Sequence, residues 1–449
     1  MRLRKTITTI VATAILLAGW QLFAVIANQP ELIPSLPRLV RTLCEWLVSG
    51  SFYQSVGATI LRGVLGMSIS FVCAIGMAGL FARFEWVYEL FRPLLAIMRS
   101  IPVISFILLA LIFLNPESIP LMIAFLTMFP LLTENLTRGI LDLRPGLSIM
   151  ARQFHIRRSN VLFQIIYPQL KPFLYSGLAS AAGFGWRAII MGEVLSQCAF
   201  GIRSEMKRAQ NFIAVPELLA WTILSVFISF FFDKGIIKVA DITPKISFAN
   251  EDQTIPTPTL SVLDTKDISY QYGIQHFSHS FQKGIIYGIS APSGKGKTTL
   301  LNLIGGILLP TEGEIHPTRH FGIATIFQQP QLLPHLTAEE NIILPLSSFL
   351  TEEKARRIAQ KHLQEMEMEP FGNRYPKELS YGQQQRIAIA RALAYPSPLL
   401  LMDEPFKGLD EALSHRIIER IREKQMKEER IILFTSHNPD EIRLLADEV

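Results

Sequence analysis

Residues 285–300 read Ile285-Ile-Tyr-Gly-Ile289-Ser-Ala291-Pro-Ser293-Gly294-Lys295-Gly296-Lys297-Thr298-Thr299-Leu300. A β-branched run, a glycine loop and the apolar start of a helix follow in the order that wraps a phosphate, since consecutive backbone N–H groups and a helix N-terminus then converge on one place. In that geometry Ser293, Gly294, Lys295, Gly296 and Thr299 line the loop. Lys297 reaches the β and γ oxygens of a nucleoside triphosphate, and the Thr298 hydroxyl ligates Mg2+. Ala291 stands where the pattern has its first glycine.

About 105 residues further on, Leu399-Leu-Leu-Met402-Asp403-Glu404 is a buried-strand run that ends in two acids. An Asp at a strand tip suits Mg2+ held through its water shell, and a Glu beside it suits polarising an attacking water. A solvated acidic turn gives the same local pattern; the phosphate loop upstream favours the first reading. Four more stretches keep this order: Phe327-Gln328 before Pro330-Gln-Leu-Leu-Pro334, Leu379-Ser380-Tyr381-Gly382-Gln383 before Gln385-Arg386, Gly408-Leu409-Asp410, and Thr435-Ser436-His437.

Singly these are an ordinary loop glutamine, helix start, turn and histidine. Together they resemble the ATP-binding cassette family over essentially all of 260–449, in the glutamine loop, signature sequence, D-loop and switch histidine. The resemblance implies that Lys297, Gln328, Glu404 and His437 act catalytically on ATP and that Thr298, Gln328 and Asp403 serve Mg2+. It implies Tyr272 as the aromatic on adenine, with Tyr270 as the neighbour that competes for the role. Ser380, Gly382 and Gln383 would face the γ-phosphate of a second copy, with Asp410 also among the nucleotide-facing residues. A helix N-terminus preceded by Ser and Gly offers donors to an anion, and a shared site makes pairing depend on ATP. Tyr381 replaces the middle glycine of the signature, and with Ala291 it points to slower hydrolysis. The sequence ends at Val449, soon after the helix that follows His437, so the strands that close the family's domain are expected to be absent and its sheet edge open.

Outward from the loop, residues 260–449 alternate short β-branched runs with helical stretches, the pattern of a covered α/β sheet. Residues 241–259, with Pro244, Pro256 and Pro258 among polar residues, read as a linker. Residues 1–240 carry 21 Lys+Arg against 11 Asp+Glu and the rest 22 against 27, so the basic excess belongs to the first part alone. It lies between long apolar runs, where the positive-inside effect accounts for it without nucleic acid. With 49% hydrophobic and 18% charged residues, the chain is neither wholly soluble nor disordered. Cys44, Cys73 and Cys198 have no metal-ligand spacing.

Apolar segments at about Ile7–Ala27, Val56–Phe81, Pro102–Leu114, Pro120–Ile140, Pro172–Leu195 and Val215–Phe232 give six expected crossings. The first is taken as a retained helix over a signal peptide, and the third as continuing back through Leu90–Met98 with a bend at Pro102. The basic N-terminus and the loop bearing Arg144, Arg152, Arg157, Arg158 and Lys171 place both on the cytoplasmic side; Arg203, Lys207 and Arg208 would then lie outside. The fold class expected is an all-α membrane domain of six transmembrane helices plus an α/β P-loop ATPase domain, divided as 1–240, linker 241–259 and 260–449.

Pro145 to Pro168 resembles the cytoplasmic coupling loop of binding-protein-dependent importer permeases, with Ile149 and His155 where that family commonly has Glu and Gly. Leu32-Ile-Pro-Ser-Leu-Pro37, Arg99-Ser-Ile-Pro102 and Trp186-Arg187 with Glu193 resemble the sulfonate, nitrate, taurine and thiamine-precursor permease group. Arg187 and Glu193 each read as pathway or packing residues; six positions apart, they face different sides of a helix and do not pair with each other. The two resemblances together imply a fused permease and ATPase in the cell inner membrane, with the ATPase in the cytoplasm. A homodimer or paired half-transporter, a small-molecule solute, an extracytoplasmic solute-binding protein and membrane lipid are its implied partners, and nucleic acid is not. An exporter would need longer cytoplasmic helix extensions than the loops at 82–88 and 141–171 provide. A signalling complex would need an extracellular domain to receive its motion.

Overall fold

The computed structural model describes residues 2–240, 244–253, 260–271, 273–292, 294–317 and 322–449, of which residues 2–6, 9–10, 233 and 236–240 by their backbone alone. The chain forms two compact units, Met1–Leu143 with Gln169–Ile242, and Arg144–Pro168 with Thr243–Val449. Arg144–Pro168 thus interrupts the first unit in sequence and folds with the second.

The helices α1 (Arg2–Ala27), α2 (Leu36–Trp46), α3 (Gly50–Arg83), α4 (Glu85–Ser100), α5 (Val103–Phe113), α6 (Ile119–Leu141), α7 (Pro145–Gln153), α8 (Arg158–Asn160), α9 (Tyr167–Ser196), α10 (Ile202–Asn211) and α11 (Val215–Ala240) follow in order. Among the described residues, four helical segments are long and apolar enough to cross a bilayer: Gly50–Arg83, Pro116–Leu141, Arg158–Ser196 and Val215–Phe232. Helices α4 and α5 make a fifth if their pair, bent by 96°, counts as one span. The expected first crossing falls in α1, whose described apolar part, Val11–Ala27, is shorter than the other spans. Six expected crossings therefore stand as four or five spans and this helix. The bend falls at Ile101-Pro102, where the proline withholds a backbone donor and holds Ile101 extended at ψ 130°.

Small residues let the spans approach: Ala74, Ala78, Ala124, Ala181 and Ala182 are fully buried, while Val72, Ile112, Phe113 and Phe231 point outward. That is the arrangement expected where hydrocarbon is the solvent.

The second unit holds β1 (Val262–Tyr270), β2 (Ile274–Gln282), β3 (Ile286–Ile289), α12 (Lys297–Ile304), β4 (Glu312–His316), β5 (Ala324–Ile326), α13 (Ala338–Leu346), α14 (Glu352–Glu365), α15 (Tyr381–Ala394), β6 (Leu399–Asp403), α16 (Glu411–Glu428), β7 (Ile431–Thr435) and α17 (Pro439–Leu445). Strands β3-β7-β6-β5 form a parallel sheet and β2-β1-β4 an antiparallel one. β6 and β7 are buried along their whole length, which is why their sequences run apolar without alternation.

The expected open edge is a correction. Gly288 N donates to Glu448 O at 2.8 Å and Asp447 N to Ile286 O at 2.8 Å, so residues just before Val449 pair with β3. Backbone groups at a buried strand need partners, and an irregular segment supplies them as well as a strand does. The stretch read as a linker is also bonded where it is described: Ala249 N donates to Ser347 O at 3.0 Å and Gln253 N to Phe349 O at 2.8 Å. Its residues 241–243 and 254–259 lie outside the described residues.

Candidate nucleotide-binding site

The carboxyl ends of all four parallel strands carry the expected chemistry. The phosphate loop follows β3, Gln328 follows β5, Asp403 and Glu404 end β6, and His437 follows β7. Parallel strands converge their last residues on one edge, the usual place for a ligand in such sheets. Gly294 at φ 80° and Gly296 at φ 83° are left-handed, a conformation open to glycine at little cost, and Gly296 caps α12. Lys297, the first residue of that helix, is 8% exposed. Its ammonium donates to Ala291 O at 2.5 Å and lies 3.2 Å from His437 Nδ1.

Thr298 Oγ1 donates to Asp403 Oδ2 at 2.9 Å, and Thr435 Oγ1 to Asp403 Oδ1 at 2.8 Å. A hydroxyl and a buried carboxylate in direct contact form a hard oxygen donor pair, which fits Mg2+. Glu404 sits at φ 49°, in the left-handed region that costs a non-glycine residue about 1 kcal/mol, and its N–H donates to Thr435 Oγ1 at 3.1 Å. Each of its oxygens has its own partner: Oε1 is 3.1 Å from His437 Nε2 and Oε2 is 3.1 Å from Lys407 Nζ. Burial pushes the Glu404 carboxyl up, but hydrogen bonds from Lys407 and Gln328 and the charges of Lys407 and His437 outweigh it and hold it below its ordinary value.

Lys297, Thr298, Gln328, Asp403, Glu404 and His437 are thus brought into one bonded cluster. Lys295 and Thr299 lie in the same loop and helix turn; Tyr272 and Ser293 lie outside the described residues. Ser380, Gly382 and Gln383 stand apart, at the exposed start of α15, where Ser380 and Gln383 cap the helix reciprocally: Gln383 N donates to Ser380 Oγ at 3.3 Å and Ser380 N to Gln383 Oε1 at 2.9 Å. Asp410 caps α16, accepting from Leu413 N at 2.9 Å.

Sequence reasoning missed Lys407, which only the turn after β6 brings back to Glu404. It also missed the bond from Tyr381, whose hydroxyl donates to Gln328 O at 2.8 Å. Burial pushes the Tyr381 phenol above its ordinary value. Thr435 carried a signal, as a polar residue at the end of an otherwise apolar strand.

The 144–168 segment folds within the same unit, with Gly146 near Gln331 and Gln153 at the start of β5. Leu147, Met150 and Phe154 are buried in its core. Gln153 Nε2 donates to Gly305 O at 2.8 Å, and Asn160 Nδ2 to Ser347 Oγ at 2.8 Å. A Cβ on Gly146 would lie 2.5 Å from Gln331 Oε1, so the two segments approach closely there and a side chain at 146 would displace the end of the Gln331 side chain. Arg391, fully buried, donates to Pro330 O and Gln331 O at 2.8 Å each and lies 5.4 Å from the ring centroid of Phe154. His155, at φ 45°, occupies a position where glycine would carry no steric cost.

In the first unit, Glu193 on α9 is buried and bonded to Thr59 Oγ1 at 2.9 Å and to Arg62 at 2.7 Å, which ties it to α3. Arg187 is exposed on α9.

Two family models match separate stretches of this chain. Residues 274–407 match the ABC transporter family model, and residues 68–234 match that of the binding-protein-dependent transport system inner membrane component. The thiamine import ATP-binding protein ThiQ of Yersinia pseudotuberculosis is 35% identical over 199 residues, 41% of this chain and 84% of that protein. The Fe(3+) ions import ATP-binding protein FbpC of Rhizobium etli is 36% identical over 186 residues, 39% of this chain and 53% of that one. The glucose import ATP-binding protein GlcV of Saccharolobus solfataricus is 35% identical over 185 residues, 38% and 52%. The chain therefore spans about half the length of FbpC and GlcV. With Lys297, Asp403, Glu404 and His437 on one sheet edge and this coverage of ThiQ, the chain belongs to the ABC transporter family, joining a permease-type membrane domain to an ABC ATPase domain.

Proposed function

We propose that the chain is one half of an ATP-driven importer of a small solute, working as a pair of copies in the cell inner membrane with its ATPase domain in the cytoplasm. The observation that carries this reading is the 144–168 segment. It leaves the permease-type sequence between α6 and α9 and folds into the ATPase unit, with Phe154 against the arginine that holds the residues after Gln328. Motion in the ATPase unit then reaches the membrane helices through the chain itself, at both ends of this segment.

In this reading the N–H groups of the loop 293–299 and the start of α12 bind the ATP phosphates, Lys297 neutralises the β and γ oxygens, and Tyr272 stacks on adenine. Thr298, Asp403 and Gln328 would hold Mg2+, which when bound neutralises charge on the phosphates. Glu404 orients and polarises the attacking water, and His437, 3.1 Å from it, steadies the carboxylate and meets the γ-phosphate. Ser380, Gly382 and Gln383, with Asp410 nearby, complete the site of a second copy, so hydrolysis requires the pair. Closure and reopening of the ATPase pair expose the pathway to one side and then the other.

The match of residues 68–234 to a binding-protein-dependent component supports import, with cargo delivered outside by a solute-binding protein. The sequence patterns at 32–37, 99–102 and 186–193 favour a sulfonate, nitrate, taurine or thiamine precursor. The relatives' own cargoes, named as thiamine, Fe(3+) and glucose, do not narrow that choice. The test is uptake into proteoliposomes with ATP on the cassette side and a solute-binding protein on the other. Uptake that needs both supports import; uptake independent of a binding protein, or ATP hydrolysis with no solute moved, overturns it.

A further inference from the structure

The start of α15 is fastened to both segments that flank the water-polarising carboxylate. Tyr381 Oη donates to Gln328 O at 2.8 Å on one side. On the other, the Tyr381 ring covers Gly408, where a Cβ would lie 2.8 Å from Tyr381 Cδ1, and a Cβ on Gly382 would lie 2.5 Å from Gly408 O. One turn later Gln385 Nε2 donates to Pro405 O at 2.9 Å, next to Glu404. The end that offers Ser380, Gly382 and Gln383 outward is therefore the end that grips its own subunit's Gln328 and 405–408 turn. A glycine at 381 would make neither the hydroxyl bond nor the ring contact.

We propose that Tyr381 is a positioning residue that links the two nucleotide sites of the pair. This rests on the proposed function, in which Ser380, Gly382 and Gln383 meet the other copy's γ-phosphate. When that phosphate draws the start of α15, the tyrosine hydroxyl carries the Gln328 peptide with it, and the displaced Gln328 resets the surroundings of the carboxylate in its own site. Occupancy of one site thereby tunes hydrolysis at the other.

The test measures ATPase rate against ATP concentration for the full chain in nanodiscs, comparing wild type with Tyr381→Phe, which keeps the ring on Gly408 and removes only the hydroxyl. The wild type is expected to respond sigmoidally. Tyr381→Phe is expected to respond hyperbolically, with kcat lower by about threefold to tenfold, the loss of one hydrogen bond, and half-saturation within about twofold. A purely structural role would leave the shape of the curve alone. Trapping of labelled ATP in a Glu404→Gln background, with and without Tyr381→Phe, reads pair formation separately and is expected to be equal in the two. A hyperbolic wild type, or a sigmoidal curve unchanged in Tyr381→Phe, overturns the link. Loss of trapping on adding Tyr381→Phe overturns it too, since the residue would then serve pairing itself. Failure of Glu404→Gln alone to trap nucleotide overturns the underlying ATPase reading instead.

Discussion

Glu193 and Glu404 are both paired with a basic side chain, yet their surroundings differ in kind. The Glu193 side chain is 0% exposed and meets Arg62 at 2.7 Å, with the Thr59 hydroxyl within hydrogen-bond distance of both its oxygens. The Glu404 side chain is 17% exposed, sits on a left-handed residue, and is shared between His437 and Lys407 at 3.1 Å each. Desolvation makes the first pair hard to open, whereas the second keeps solvent access and partners that exchange at small cost. A carboxylate that does chemistry must be able to change partners; one that holds helices together must not.

The sharpest way to break this contrast is to neutralise each acid. Glu404→Gln is expected to lower phosphate release by about a thousandfold, the upper part of what a positioned proton-accepting group contributes, with a melting temperature close to wild type. Unchanged hydrolysis would remove Glu404 from the chemistry. Glu193→Gln is expected to do the reverse, lowering unfolding stability by about 3 kcal/mol because Arg62 is left with one of its carboxylates removed, while the folded fraction hydrolyses ATP at a rate within about twofold of wild type. Denaturation in detergent, read beside the ATPase rate per folded molecule, separates the two outcomes.

The contrast was only half legible in the sequence. The phosphate loop and the Leu399–Glu404 strand tip are local patterns, because a glycine loop and a terminal acid on an apolar run need only a few consecutive residues. Arg187 and Glu193 looked alike from sequence, two charges in one apolar run. What separates them is Arg62 on α3, 131 residues from Glu193, and no local spacing reports such a partner. Lys407 and the Tyr381 hydroxyl bond were hidden for the same reason: both depend on a turn or loop folding back. The 144–168 segment was visible as a docking element, but not that Gln153, Asn160 and Phe154 fasten it where Ile149 and His155 depart from the family's residues. The open edge was misjudged because residues 447–448 have no strand pattern and pair with β3 all the same.

Arg391 tests whether burial alone decides which cations are structural. It is fully buried, its guanidinium pulled down to about 9 by desolvation, and its two terminal nitrogens donate to the carbonyls of Gln331 and Pro330. Arg391→Met is expected to cost the ATPase unit about 2 kcal/mol, since two buried carbonyls lose their donors. Arg391→Lys should recover only part of that, because an ammonium on a flexible stem does not present the guanidinium's fixed fork. Equal stability of the Lys and Arg proteins in urea unfolding would show that the fork is immaterial.

Gly408 gives the smallest and most discriminating effect. It stands at φ 80°, so an alanine pays about 1 kcal/mol for the backbone alone, and its Cβ would also meet the Tyr381 ring at 2.8 Å. These two costs have different remedies. Replacing Tyr381 by glycine clears the ring but leaves the left-handed backbone, so the double variant Tyr381→Gly, Gly408→Ala should be less destabilised than the sum of the single variants by about 1 kcal/mol, the coupling expected of side chains in direct contact. Strict additivity in the double-mutant cycle would mean that the ring swings away freely, and that the surroundings of Glu404 are looser than the contact between Tyr381 and Gly408 requires.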